Sequence, residues 1–238
     1  MIKVTWYTKG IKEFTADAYI IVDVLRFSTT AITALSSGFD RVYVAWDLDE
    51  AINISKKLGA PLAAEVNGVK PKEADLDNSP TEVALFAKKV NVRGKSLVLR
   101  STAGAKVVSE SIKLKLKNVF IGSFINAGAV ANVIKKVNVR DLNIICAGYR
   151  GSEFGLEDFL AAGAIVEGLQ YMDLHDSALA ALYSFNDVKG NLETAIGKSM
   201  NGKYLINAGK VNDVAVASEL NASRNVPVLK ENYFEPFN

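Results

Sequence analysis

Residues 19 to 37 read YIIVDVLRFSTTAITALSS, and the change of period inside this stretch decides the fold class. YIIV (19–22) is an unbroken apolar run rich in β-branched residues, which suits a strand buried on both faces. From Ser28 onward the spacing becomes amphipathic and helical, so a helix is predicted over 28–37. Asp23 and Arg26 stand between the two, charged residues at the end of an apolar strand. Either they pair with each other or they serve a site, and their position favours the site.

Working outward, the same alternation repeats. VYVA (42–45), LAA (62–64), SLVL (96–99), VFI (119–121) and NIICA (143–147) read as buried strands, with helices predicted over 48–58, 80–90, 103–111 and 124–137. Such alternation predicts an α/β fold with a mostly parallel or mixed sheet flanked by helices. Beyond Gly148 the pattern shifts to helices over 155–170, 176–185, 190–198 and 211–218, and then to a last strand at VPVL (226–229), so the C-terminal third is more helical. No Pro/Ser/Gly linker divides the chain. Residues 1–238 are therefore expected to form a single α/β domain, with two intertwined subdomains, about 1–148 and 149–238, as the other partition.

Composition removes several classes of function. Hydrophobic residues are 49% and charged residues 23%, an ordinary balance for a chain that builds its own core. The net charge of +2, with both signs interspersed, gives no field for nucleic acid, and the apolar runs are too short to cross a bilayer. The N-terminal MIKVTWYTKG lacks the layout of a signal peptide, so a cytoplasmic protein is expected. One Cys and one His exclude an intrachain disulfide and the usual zinc sites. His175 lies far from any strand end and reads as a helix cap or surface residue.

Chemistry collects at the C-terminal ends of the strands. Asp23, Arg26, Ser28, Thr29 and Thr30 follow the first apolar run, and Glu65 follows LAA. Arg100, Ser101 and Thr102 follow SLVL; Gly122, Ser123 and Asn126 follow VFI; Gly148 and Arg150 follow NIICA. In open α/β sheets ligands lie beyond these ends, where helix N-termini also favour anions. The set suggests an anion site with a divalent cation, although Ser, Thr, Asp and Asn are also ordinary helix caps. Ser79, Pro80 and Glu82 read as a helix start with a capping box, which leaves Asn78 free for a ligand. Glu157 and Asp158 open the helix after Gly155, where they either complement its dipole or hold Mg²⁺.

Familiar hydrolase signatures fail. A cysteine-phosphatase loop starting at Cys146 would need Arg where Ser152 stands, and Asp47 with Glu50 fits a helix cap better than an aspartyl nucleophile pair. GSFINAG and AGYRG match neither the P-loop nor the dinucleotide fingerprint.

Five blocks taken together are more specific. DVLRFSTT (23–30), DNSPTE (77–82), GSFINAGAVA (122–131), CAGYRG (146–151) and LEDFLAAG (156–163) resemble, in order and spacing, the signature blocks of the 2-phosphosulfolactate phosphatase family. The likeness continues through DVAVASELN (213–221) and VPVL, nearly the whole chain. It implies a Mg²⁺-dependent phosphatase that converts 2-phosphosulfolactate to sulfolactate, a step of coenzyme M biosynthesis. The partner implied is a small anionic phosphoester, with no nucleic acid or membrane, and a homodimer is open.

The metal is expected at Asp23 with Glu157 or Asp158, and with Glu65 as a third candidate. Arg26 is expected to clamp the phosphoryl oxygens. Ser28, Thr29, Thr30, Asn78, Ser79, Ser101, Thr102, Gly122, Ser123, Asn126 and Gly148 are the expected phosphate or substrate contacts. Two blocks depart from the family. Its Thr-Thr-Asn-Gly-Thr run is Ser101-Thr102-Ala103-Gly104-Ala105 here, and its Glu-Arg pair is Glu65-Val66. These losses leave open a different 2-phospho-hydroxy acid or sugar phosphate as substrate, or a binding homologue without turnover. The nucleophile, a metal-bound water or Asp23 itself, is also open.

Overall fold

The structure, a computed structural model, describes residues 1–237. Strand and helix alternate as far as residue 146: β1 (Ile2–Trp6), α1 (Tyr7–Glu13), β2 (Ala18–Val22), α2 (Phe27–Ser36), β3 (Arg41–Ala45), α3 (Leu48–Leu58), β4 (Leu62–Ala64), α4 (Pro80–Lys89), β5 (Ser96–Arg100), α5 (Gly104–Lys113), β6 (Val119–Gly122), α6 (Ala127–Val137) and β7 (Leu142–Cys146). Five helices follow, α7 (Leu156–Glu167), α8 (Asp176–Val188), α9 (Leu192–Gly197), α10 (Met200–Asn207) and α11 (Val211–Ala217), and then the hairpin β8 (Pro227–Leu229) and β9 (Tyr233–Pro236). Each predicted strand and helix forms within a few residues of its expected bounds. The sequence reading did not anticipate β1, α1, α10 and β9.

The nine strands make one mixed sheet in the order β1-β7-β2-β6-β8-β9-β3-β5-β4. β1, β7, β2 and β6 form one parallel block and β3, β5 and β4 another. The hairpin separates them, antiparallel to β6 on one side and to β3 on the other. The two blocks therefore run in opposite directions along the ladder, and a flat sheet would place their C-terminal ends on opposite edges. Instead the Gly104 N–H, just past β5, donates to Asp23 Oδ2, just past β2, over 2.7 Å. Five pairings lie between β2 and β5. A twist of roughly 20–25° at each swings the second block through more than a right angle and brings the two ends together.

Core packing follows from that twist. Alternate residues of a strand face opposite ways. Tyr19 and Ile21 of β2 join Val42, Val44, Leu97 and Leu99 of the other block in one apolar cluster, beneath α2 and α5. Ile20 and Val22 face a second cluster, built with Val130, Ile134, Leu160, Ile165 and Phe185 of α6, α7 and α8. Gly163 lets α7 approach α8, since a Cβ there would lie 2.1 Å from the Ala181 carbonyl oxygen. Among the described residues no helix is long and apolar enough to cross a membrane.

Candidate active site

Asp23 sits at the meeting point of the two blocks. Its backbone N–H donates to Ser28 Oγ at 2.9 Å, and its Oδ2 accepts from Gly104 at the first turn of α5. Its Oδ1 has only a long contact, 3.4 Å, from the Phe27 N–H. Burial raises the Asp23 pKa to about 7; the Gly104 N–H opposes the rise, and the nearby charges of Glu65 and Glu157 add to it. A carboxyl in this condition exchanges a proton near neutrality.

Glu65, at the end of β4, faces Asp23 across a crevice that both line. Its Oε2 accepts from the Gly68 N–H at 2.6 Å and from Thr102 Oγ1 at 3.0 Å, and its Oε1 accepts from the Thr102 N–H. The local turn is built for this, with Asn67 and Gly68 both at positive φ and Val66 paired to Val69 across it. Arg100 supports the same corner by donating to the carbonyls of Trp46 and Glu65.

Asp158 holds the opposite wall. Its two oxygens accept the N–H groups of Val24 and Gly148, each at 2.8 Å, so it ties the end of β2 to the turn after β7. Glu157 lies beside Ser199 and Asn201 at the start of α10, whose side chains favour its charged form. Burial pushes the pKa of both up, and for Asp158 the charges of Glu157 and Asp23 push further. Among the described residues no group of three or more Asp, Glu, His or Cys is arranged around one point as a metal cage. The four expected metal ligands are thus close but not equivalent. Asp23 and Glu65 line the crevice, whereas Asp158 holds backbone and Glu157 stands behind.

Arg26 also borders the crevice, but its terminal nitrogens are committed. They donate to both oxygens of Asp77 at 3.0 and 3.1 Å and to Asp213 Oδ2 at 2.8 Å, in a buried cluster that Lys210 joins. Burial works against the guanidinium's charge, yet the Asp77 and Asp213 pairs outweigh it and raise its pKa. Arg26 does not pair with Asp23; its guanidinium ties the start of α2 to Asp77 ahead of α4 and to Asp213 of α11, which leaves Nε and one Nη2 hydrogen for the expected phosphoryl contact. The same cluster takes Ser79, whose hydroxyl caps Glu82 N at 3.1 Å and donates to Asp213 Oδ1 at 2.6 Å. Glu82 does not close the expected box on the Ser79 N–H; it accepts from the Asp77 N–H, two residues earlier.

The hydroxyl-rich helix starts are largely self-satisfied. Thr29 Oγ1 donates to the Val24 carbonyl and meets Ser123 Oγ at 3.0 Å. Ser123 and Asn126 form a reciprocal cap, and Gly122 is a packing residue, because a Cβ there would strike Ile20 and Ile165. Thr30 is buried with its hydroxyl unpartnered. Ser28, Thr29, Thr30, Ser79, Gly122, Ser123 and Asn126 therefore do not line the crevice. Ser101, Thr102, Asn78 and Gly148 do. Ser101 Oγ accepts from the Ala105 N–H, which leaves its hydrogen free, and Asn78 Oδ1 is buried without a partner. Of the departures from the family pattern, Ala103 lines the crevice, while Ala105 is fully buried in the core and Val66 belongs to the turn.

Arg150 was gathered from the sequence with the other strand-end groups but given no role, and Leu25, Asn67, Gly68, Tyr149, Asn201, Tyr204 and Leu205, which also line the crevice, escaped the sequence reading of the site. Asn201 and Tyr204 lie on α10, which was not expected. Of the residues weighed and set aside, His175 caps α8, Asp47 caps α3, and Cys146 is buried with its thiol pKa pushed well up by that burial.

Comparison with known proteins finds relatives along most of the chain. A family model described as 2-phosphosulpholactate phosphatase matches residues 7–232. A protein of Thermotoga maritima named probable 2-phosphosulfolactate phosphatase is 36% identical over 215 residues, 90% of each chain. Similar proteins of the same name occur in Carboxydothermus hydrogenoformans, 34% identical over 95% of this chain and 92% of its own, and in Thermus thermophilus, 33% identical over 90% and 88%.

Proposed function

Because the chain belongs to the 2-phosphosulfolactate phosphatase family, we propose that it is a phosphoric monoester hydrolase acting on 2-phosphosulfolactate, releasing phosphate and sulfolactate with the help of Mg²⁺. The product is the one expected on the way to coenzyme M. The observation that carries the reading is the convergence of Asp23 and Glu65, from opposite blocks of the sheet, on one crevice that Ser101 and Asn78 also line.

The donor set fits Mg²⁺ in its usual protein mode. This ion takes oxygen ligands and is commonly held by one or two carboxylates, with waters and substrate phosphate completing its shell, so a three-residue cage is not required. Asp23 and Glu65 are the residues that would hold it. Bound there, the ion supplies charge neutralisation to a phosphoryl group that two carboxylates would otherwise repel.

The chain's own residues supply the rest. Ser101 has a hydrogen to give to a phosphoryl oxygen, and Asn78, whose Oδ1 is unpartnered, borders the same crevice. Asp158 keeps the Gly148 turn against the end of β2, which fixes the width of the crevice. Phosphate release should be measured from 2-phosphosulfolactate with and without Mg²⁺. Release should cease in excess chelator and return with Mg²⁺. Full activity in chelator would overturn the metal assignment, and no release under any condition would overturn the substrate.

A further inference from the structure

We infer that Arg150 is the specificity-determining residue of this site, binding the sulfonate, which with the carboxylate is one of the two non-reacting anionic groups of the substrate. The inference rests on the phosphatase reading above and adds which residue recognises the sulfonate.

Two arginines line the crevice, Arg26 and Arg150. Arg26 is occupied by Asp77 and Asp213, whereas among the described residues Arg150 has no carboxylate partner. Its guanidinium lies over the Tyr149 ring, 5.1 Å from the centroid, which orients the plane without using its hydrogens. The turn that presents it is firmly built. Arg150 has φ +53, a left-handed conformation uncommon for a residue with a Cβ, between Gly148 at +75 and Gly151 at +71. The Gly151 N–H donates to the Gly148 carbonyl, Glu153 bonds back to Tyr149, and Asp158 holds the Gly148 N–H. Gly151 also packs beside Ala103, which places the turn on the rim next to Ser101 and Thr102.

Charge then separates the phosphoryl group of the substrate from its sulfonate. Asp23 and Glu65 occupy the inner wall, suited to a phosphoryl group carried with a cation. Arg150 stands at the exposed outer wall. A sulfonate keeps its charge at all ordinary pH and offers several acceptor oxygens, which a guanidinium fork meets with charge-assisted hydrogen bonds.

The test compares two substrates that differ only in that group, 2-phosphosulfolactate and 2-phospholactate, for wild type, Arg150→Ala and Arg150→Lys. The preference for the sulfonated substrate in kcat/KM should fall about tenfold or more in Arg150→Ala, mainly through KM, and recover in part in Arg150→Lys. Calorimetric titration of Mg²⁺-loaded protein with sulfolactate should show the same loss of affinity. An unchanged preference, equal losses on both substrates, or unaltered sulfolactate affinity would overturn the inference. If wild type cleaves neither compound, the phosphatase reading fails. Sulfolactate binding then decides alone, with binding lost in Arg150→Ala supporting the assignment and no binding by wild type overturning it.

Discussion

At Asp23 two demands conflict. Catalysis on a phosphoester wants a carboxylate in a crevice shielded from water, and shielding is what disfavours its charge. The consequence for stability has a definite sign. A carboxyl whose pKa is higher in the folded than in the unfolded chain stabilises the fold fully only below its ordinary pKa, and that contribution is lost as pH rises through the folded value. Asp23 at about 7, with Asp158 and Glu157 raised beside it, should make the metal-free protein less stable at pH 8 than at pH 5. Asp23→Asn should remove part of that loss. Thermal melts in chelator are expected to show the variant a few degrees above wild type at pH 8 and near it at pH 4, at about 2–4 °C per kcal/mol for a chain this size, while phosphate release falls by orders of magnitude. A variant that melts below wild type at pH 8 would show that the charge of Asp23 holds the fold together.

At the scale of elements, helix starts explain which polar residues remain available. The first turn of α5 is capped by Asp23 and Ser101, and that of α4 by Ser79 and Asp213. Groups that look like phosphate ligands in the sequence are spent on backbone N–H donors. The start of α5 also separates the family departures by direction. Ala103 faces the crevice, but Ala105 points into the core between the two blocks. Ala105→Thr should therefore destabilise by about 1–3 kcal/mol through overpacking and a buried hydroxyl. Ala103→Asn should leave the melting temperature near wild type and change KM. Melting curves and steady-state kinetics of the two single variants separate these outcomes, and a stable Ala105→Thr would show the core there to be loose.

Over the whole molecule, the β8–β9 hairpin is, among the described residues, the only ladder connection between the two parallel blocks. None of its residues lines the crevice, yet the convergence of Asp23 with Gly104 depends on the twist that passes through it. A chain truncated after Asn221 should lose cooperative unfolding and activity together, although it retains each residue assigned to the reaction. The edges it would expose on β6 and β3 are apolar strands without partners. Circular dichroism melts beside the phosphate assay would show this, and a truncated chain with normal turnover would mean that the helices alone align the blocks.

The alternation of strand and helix was legible because periods of about two and 3.6 residues are local properties, written in neighbours such as YIIV and STTAITALSS. β1 (IKVTW) alternates where the other strands were read from continuous apolar runs, and α10 is short and polar, so both were missed. The crevice of the candidate site lies where the sequence pointed, beyond the strand ends, since that position follows from the topology of any such sheet. The commitments of its side chains were not. Arg26 finds Asp213 across 187 positions and Asp23 finds Gly104 across 81, and no local rule says which carboxylate a buried arginine will meet. By itself, then, the amino-acid order determined the elements, their class of sheet and the neighbourhood of the chemistry. Tertiary structure alone decided which charged groups neutralise one another and which face the crevice, because that choice depends on burial and on contacts made only when the twisted sheet brings distant strand ends together.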